Sequence, residues 1–222
     1  QPQISKLIEN NKITIYAPSK AALNNWQRFF VIKKNSYVMS GRVKLEKGML
    51  VPKSANDFEK INFIIAGTCE PLKGQISVLN ALSYVNNIVL ANPKTYRSFS
   101  VIIAGTKEDG IFYNQFVKNA AKSLNGKITL VNVPTIKQMH KLMSTCNFTI
   151  TYSLSESFSM VTMEGMAYGH PIIRSECSGI EEQLIEGKNG FLAKTSDFAE
   201  LVSTIEKVLN KDLINFDNDV SF

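Results

Sequence analysis

Short apolar runs recur along most of this chain, and longer segments with apolar positions at helical spacing lie between them. The runs at residues 61–66, 100–104, 127–131, 148–152 and 171–174 are rich in Ile, Val and Phe and bounded by Gly, Pro or Asn. That is the pattern of strands buried on both faces. Residues 75–86, 110–124, 136–146, 159–168 and 198–209 read as helices, the last introduced by Ser196-Asp197 as a cap. Strict alternation predicts an α/β fold, a Rossmann-like parallel sheet with helices on both faces and right-handed crossovers. In such a sheet ligands bind beyond the carboxyl ends of the strands. The first 58 residues fit the rhythm less well: 13–17 read as a strand, Ser19 as an N-cap and 21–31 as a helix carrying the only tryptophan, Trp26.

Composition narrows the function classes. With 222 residues, 44% of them hydrophobic, the chain buries a sizeable core as one large domain or two small ones. The three cysteines, Cys69, Cys146 and Cys177, are odd in number and far apart, so neither a disulfide framework nor a zinc site is expected. A cytoplasmic setting follows from those thiols, from the absence of a membrane-spanning run and from an amino terminus without signal-peptide character. The net charge of +6 comes from dispersed lysines. A solvated basic surface explains it first, and attraction to anionic lipid head groups at the inner face of a membrane second. No basic cluster interleaved with aromatics points to nucleic acid. No G-x-G-x-x-G follows a strand and no P-loop occurs, so nicotinamide, flavin and P-loop nucleotide chemistry lack support. Asp217-Asn218-Asp219 imitates a metal-binding D-x-D but sits in a polar tail, and no metal site is expected. Neither His140 nor His170 is flanked by a nucleophile.

One stretch carries chemistry. Glu156 and Glu164 stand eight positions apart where a strand passes through a loop into a helix, a spacing of about 12 Å if helical throughout. A loop that opens a helix at a strand's carboxyl end aims backbone N–H groups and the positive pole of the helix at one spot, which suits a diphosphate. The two carboxylates would flank it.

The wider text is specific as an ordered set. Glu156 and Glu164 are followed by Gly169-His170-Pro171, Ile172-Ile173, Ser178-Gly179-Ile180-Glu181-Glu182 and Gly187-Lys188-Asn189-Gly190-Phe191-Leu192, and preceded by the run 61–67 with Lys73-Gly74. Over residues 60 to 210 this resembles the carboxyl-terminal half of retaining GT-B glycosyltransferases of group 1, also called family 4. The resemblance implies a nucleotide-sugar donor-binding domain over 59–222, with 1–58 as the remnant of an amino-terminal acceptor domain and its linker, residues 37–52 being the connector. The acceptor domain would be supplied in cis or by a partner, and apolar surface should be exposed near Trp26, Phe29 and Phe30.

Roles carry over by position. Lys73 matches the diphosphate lysine and Glu156 the carboxylate that addresses the transferred sugar, both catalytic; Glu164 matches the ribose carboxylate. Gly67, Thr68, Gly105, Val133, Ser157, Phe158, Ser159 and Met160 would bind the donor, with backbone N–H groups of 157–160 on the phosphates and Val133 beside the base. Thr68 stands where the family commonly has Arg, and Ser159 where it has Gly. Gly105 lines the cleft or simply turns the chain, and Glu182 is equally the family's G-G-x-x-E acid or a plain helix N-terminal acid. The co-substrate would be a nucleoside-diphosphate sugar, without further cofactor. Two functions follow: a hexosyltransferase acting on a glycan or lipid acceptor in bacterial surface polysaccharide or glycolipid synthesis, or a non-catalytic sugar-nucleotide-binding subunit of a glycosyltransferase complex.

Overall fold

The computed structural model describes residues 2–10, 12–30, 36–44, 49, 51, 53–106, 111–124, 126–132, 134–177, 179–195 and 197–214. The larger sheet has six parallel strands: β3 (Lys60–Ala66), β4 (Ser98–Thr106), β5 (Ile128–Asn132), β6 (Phe148–Thr151), β7 (Ile172–Ser175) and β8 (Gly190–Ala193). They lie in the order β5-β4-β3-β6-β7-β8. Helices α3 (Gln75–Ala91), α4 (Ile111–Lys122), α5 (Ile136–Thr145), α6 (Met160–Ala167) and α7 (Phe198–Leu209) make the crossovers and close the chain. The expected parallel, doubly wound sheet is present.

Alternate residues of β3 show why both faces are apolar. Ile61, Phe63 and Ile65 point into a core built with Val78, Leu82 and Val85 of α3 and Leu201, Ile205 and Val208 of α7. Ile64 and Ala66 point to the other face, against Met143 of α5 and Ala167 beside Tyr168 at the end of α6. Phe63 is fully buried, edge-on to Phe99 and Phe148. A strand covered twice must be apolar at nearly every position, which is why its period-2 signal vanishes. β8, only four residues long and opening on Gly190, was not expected as a strand; it is held by pairing to β7.

Upstream lie α1 (Pro2–Glu9), β1 (Ile15–Ala17), α2 (Lys20–Gln27) and β2 (Ser36–Val38). β2 overlaps the start of the expected connector and pairs parallel with β1. Ser19 caps α2 as expected, accepting from the Ala22 N–H at 3.0 Å, but the helix stops at Gln27, short of residue 31. Trp26 and Phe29 are 48% and 79% exposed, with Phe30 stacked on Trp26. Asn147 and Thr149 are buried, Asn147 bonding the 60–62 backbone. The Asp217-Asn218-Asp219 triplet lies outside the described residues. Among those described, no helix is long and apolar enough to cross a membrane.

Candidate functional site

Strand order reverses between β3 and β6, so the crossovers from these neighbours leave in opposite directions and a crevice opens at their carboxyl ends. It is a cleft of about 200 Å³. Ile65 and Ala66 of β3 with Gly67 just beyond it, and Ile150 and Thr151 of β6 with Ser153 just beyond it, wall the cleft, with Lys73, Glu156, Phe158, Ser159, Met160 and Val161 around them.

Two loops are fastened to each other here. The chain leaves β3 through Gly67 and Thr68, whose carbonyl accepts from the buried Gln75 Nε2 at 2.9 Å. A single 3-10 turn, Pro71–Lys73, follows, ending in Gly74 at φ 63°. Only glycine fits there, because a Cβ would stand 2.1 Å from the Tyr152 carbonyl oxygen beyond β6. The Leu154 N–H donates to the Leu72 carbonyl at 2.8 Å. The backbones being locked, Lys73 Nζ reaches Glu156 Oε2 at 2.7 Å, with side chains 31% and 18% exposed. Water screens such a pair, so it adds about 1 kcal/mol of stability or less; its effect is to fix a cation and a carboxylate at the cleft.

The second loop runs from Glu156 to α6, which begins only at Met160. Glu156 and Glu164 are therefore separated by a loop and one helical turn, and the all-helical spacing of 12 Å expected from sequence does not apply. Ser159 is the N-cap, its hydroxyl accepting from the Thr162 N–H at 3.2 Å. Its own N–H donates to Gln183 Oε1 at 3.2 Å and its carbonyl accepts from Gln183 Nε2 at 2.9 Å. One of the four expected backbone phosphate donors is thus already engaged, and Ser159 shapes the turn.

Glu164, half-buried on α6, lies beyond the residues that line the cleft. Among the described residues its carboxylate has no hydrogen-bond or ion-pair partner, while its carbonyl accepts from the Tyr168 N–H at 3.3 Å. Burial holds its carboxyl above the usual range, and nearby His140 draws it partly back. His140 Nδ1 lies 2.9 Å from the Tyr168 hydroxyl. His170 is fully buried against Thr149, and desolvation pushes it down to about 3, so it stays neutral. Gly105 does not line the cleft either. At φ 113° it is pressed on Gly67, and a Cβ there would meet the Gly67 carbonyl oxygen at 2.1 Å; it serves close packing of β3 and β4. Val133 lies outside the described residues.

Contacts that the sequence did not suggest arrive from upstream. Ser19, fully buried, donates its hydroxyl to the Ser157 carbonyl at 2.8 Å. Glu182 Oε1 accepts from the N–H groups of Lys20 and Ala21 at 2.8 and 3.4 Å. It acts as a helix N-terminal acid, but for α2, a helix more than 150 residues away in sequence. Gly41 packs on Met160 and Phe158. The segment before β3 thus rests on the loop that carries Glu156. Single polar contacts at such sequence separation leave no local pattern: Ser19 was legible as an N-cap and Glu182 as a helix N-terminal acid, but the partners of neither were.

The chain is similar to known proteins in sequence and in fold. A sequence model of the family described as "Glycosyl transferases group 1" matches residues 50–220. An uncharacterized glycosyltransferase of Methanocaldococcus jannaschii is 31% identical over 104 residues, 47% of this chain and 30% of that protein. The lipopolysaccharide 1,2-N-acetylglucosaminetransferase of Salmonella typhimurium is 26% identical over 155 residues, 66% of this chain and 38% of its own length. Among solved structures, Anabaena Alr3699/HepE in complex with UDP and glucose superposes with a TM-score of 0.67 at 19% identity, covering 87% of this chain and 52% of that one. TarM gives a TM-score of 0.68 at 19% identity, over 96% and 40%. The chain spans only about a third of the curated relatives and about half of these structures. The fold is the GT-B α/β arrangement, and the chain belongs to the group 1 glycosyl transferase family.

Proposed function

We propose that this chain is the donor-binding part of a retaining hexosyltransferase, taking a nucleoside-diphosphate sugar and passing the sugar to a glycan or lipid acceptor in bacterial surface polysaccharide or glycolipid assembly. The observation that carries the reading is the Lys73–Glu156 pair held at the switch-point cleft. Transfer breaks the anomeric C–O bond and leaves charge on the departing diphosphate, which a compact ammonium at Lys73 neutralises. Glu156 turns from Lys73 to the hydroxyls of the sugar as the diphosphate takes its place. Glu164, one turn into α6, accepts from the ribose. Phe158 and Met160 close the side of the cleft toward Gly41. The acceptor pocket belongs to a further domain, in cis or in a partner, and the basic surface draws the protein to anionic lipid at the inner face of the membrane.

The relatives and neighbours support this reading: one is named for moving N-acetylglucosamine in lipopolysaccharide and another was solved with UDP and glucose. Uridine diphosphate and its hexose conjugates are therefore the first ligands to titrate, followed by the other bases. Saturable binding of at least one nucleoside diphosphate is expected, and a chain that binds none of them overturns the proposal.

A further inference from the structure

Arg174, the third residue of β7, is only 1% exposed. A guanidinium stays charged at any pH the protein meets, and a buried charge ordinarily sits against a carboxylate. Among the described residues none is within ion-pair distance. Nη1 donates to Gln183 Oε1, and Nη2 lies 3.8 Å from Cys177 Sγ.

Gln183 links this charge to the cleft. The amide oxygen that takes the guanidinium donor also takes the N–H of Ser159, the cap of α6, while its Nε2 returns a bond to the Ser159 carbonyl. A full positive charge thus lies behind the positive pole of a helix that opens at the cleft, two like-signed sources in one place. Glu156, the only carboxylate of the lining, is already paired with Lys73. Lys73 and Glu156 offset each other in the lining, which leaves Arg174 and the start of α6 as like-signed sources that an anion in front of α6 would balance.

Resting on the functional reading above, we propose that Arg174 is a buried positioning residue for the donor diphosphate: through Gln183 it holds the Ser159 turn and supplies a fixed charge behind it. The test titrates wild type, Arg174→Lys and Arg174→Met with uridine, uridine monophosphate and uridine diphosphate, with thermal melting of each. Arg174→Met is expected to bind the diphosphate about tenfold more weakly, the monophosphate less so, and uridine unchanged. Arg174→Lys recovers most of the loss. Equal losses for all three ligands would mean a purely structural role and overturn the inference, as would a diphosphate affinity equal to wild type. Should Arg174→Met fail to fold, Lys73→Ala decides, because it leaves Arg174 in place. That variant is expected to keep a preference for diphosphate over uridine, and binding both alike overturns the inference. A wild-type chain that binds uridine no less tightly than its phosphates overturns this inference alone, whereas one that binds no nucleoside diphosphate overturns the functional reading too.

Discussion

Lys73 and Glu156, 83 positions apart in sequence, meet at 2.7 Å across the switch point of the sheet. Each comes from the loop beyond a different central strand, and a backbone bond between Leu72 and Leu154 keeps those loops in register. Under the proposed function an arriving diphosphate would compete with Glu156 for the same ammonium, and that competition sets the first expectation.

Lys73→Ala should weaken nucleoside diphosphate binding by about 1.5 to 3 kcal/mol, the range for hydrogen bonds to charged groups, with nucleoside binding unchanged. Glu156→Gln should act oppositely on the bare diphosphate, tightening it by up to about 1 kcal/mol as Lys73 is released, yet weaken the sugar conjugate. Calorimetry on both variants checks this; weaker diphosphate binding by Glu156→Gln would show that the pair is not a competitor.

Glu164 carries a stability cost at neutral pH. Its folded carboxyl is raised by burial above the ordinary 4.5, so the native state binds its proton more tightly than the unfolded chain does. Stability therefore falls as pH rises from the unfolded value through the folded one, and the cost persists at neutral pH. Glu164→Gln is expected to raise the melting temperature at pH 7 and to lose that advantage below pH 4.5. The same variant should bind nucleoside diphosphate and its sugar conjugate about 1 to 3 kcal/mol more weakly. Scanning calorimetry across pH reads the first effect; an unchanged or lower melting temperature at neutral pH would contradict it.

Gly105 is held by sterics. An alanine would adopt a backbone conformation costing about 1 to 3 kcal/mol and press its Cβ on the Gly67 carbonyl, adding about 1 to 3 kcal/mol of overpacking. Gly67→Ala has open space around the new Cβ, so it should show only the first cost. Urea midpoints are expected in the order wild type, Gly67→Ala, Gly105→Ala.

Glu182→Ala removes the acceptor for the Lys20 and Ala21 amides. A destabilisation of about 0.5 to 2 kcal/mol, typical of a lost helix cap, should accompany faster hydrogen exchange at those two amides. Protection there equal to wild type would show that the contact is not made in solution.

Five of the six strands of the main sheet were legible from Ile-, Val- and Phe-rich runs, because a strand covered on both faces must be apolar along its length. Lys73, Glu156 and the loop-to-helix passage at Ser159 were legible as an ordered set of motifs. What the sequence by itself determined is this local order: which segments are extended, which are helical, and where a loop meets a helix start. Tertiary structure alone decided what those ends touch. β8 exists because β7 is there to pair with; Ser159's N–H goes to Gln183 instead of staying free; Arg174, one residue past an unremarkable Ile-Ile pair, lies behind a helix start; and Glu182 caps a helix from the other end of the chain. The physical reason is range. Strand and helix periodicity is written in neighbours a few residues apart, whereas a polar contact between Glu182 and Lys20 depends on how crossovers stack the strands, and single side chains carry no trace of it until the backbone has closed.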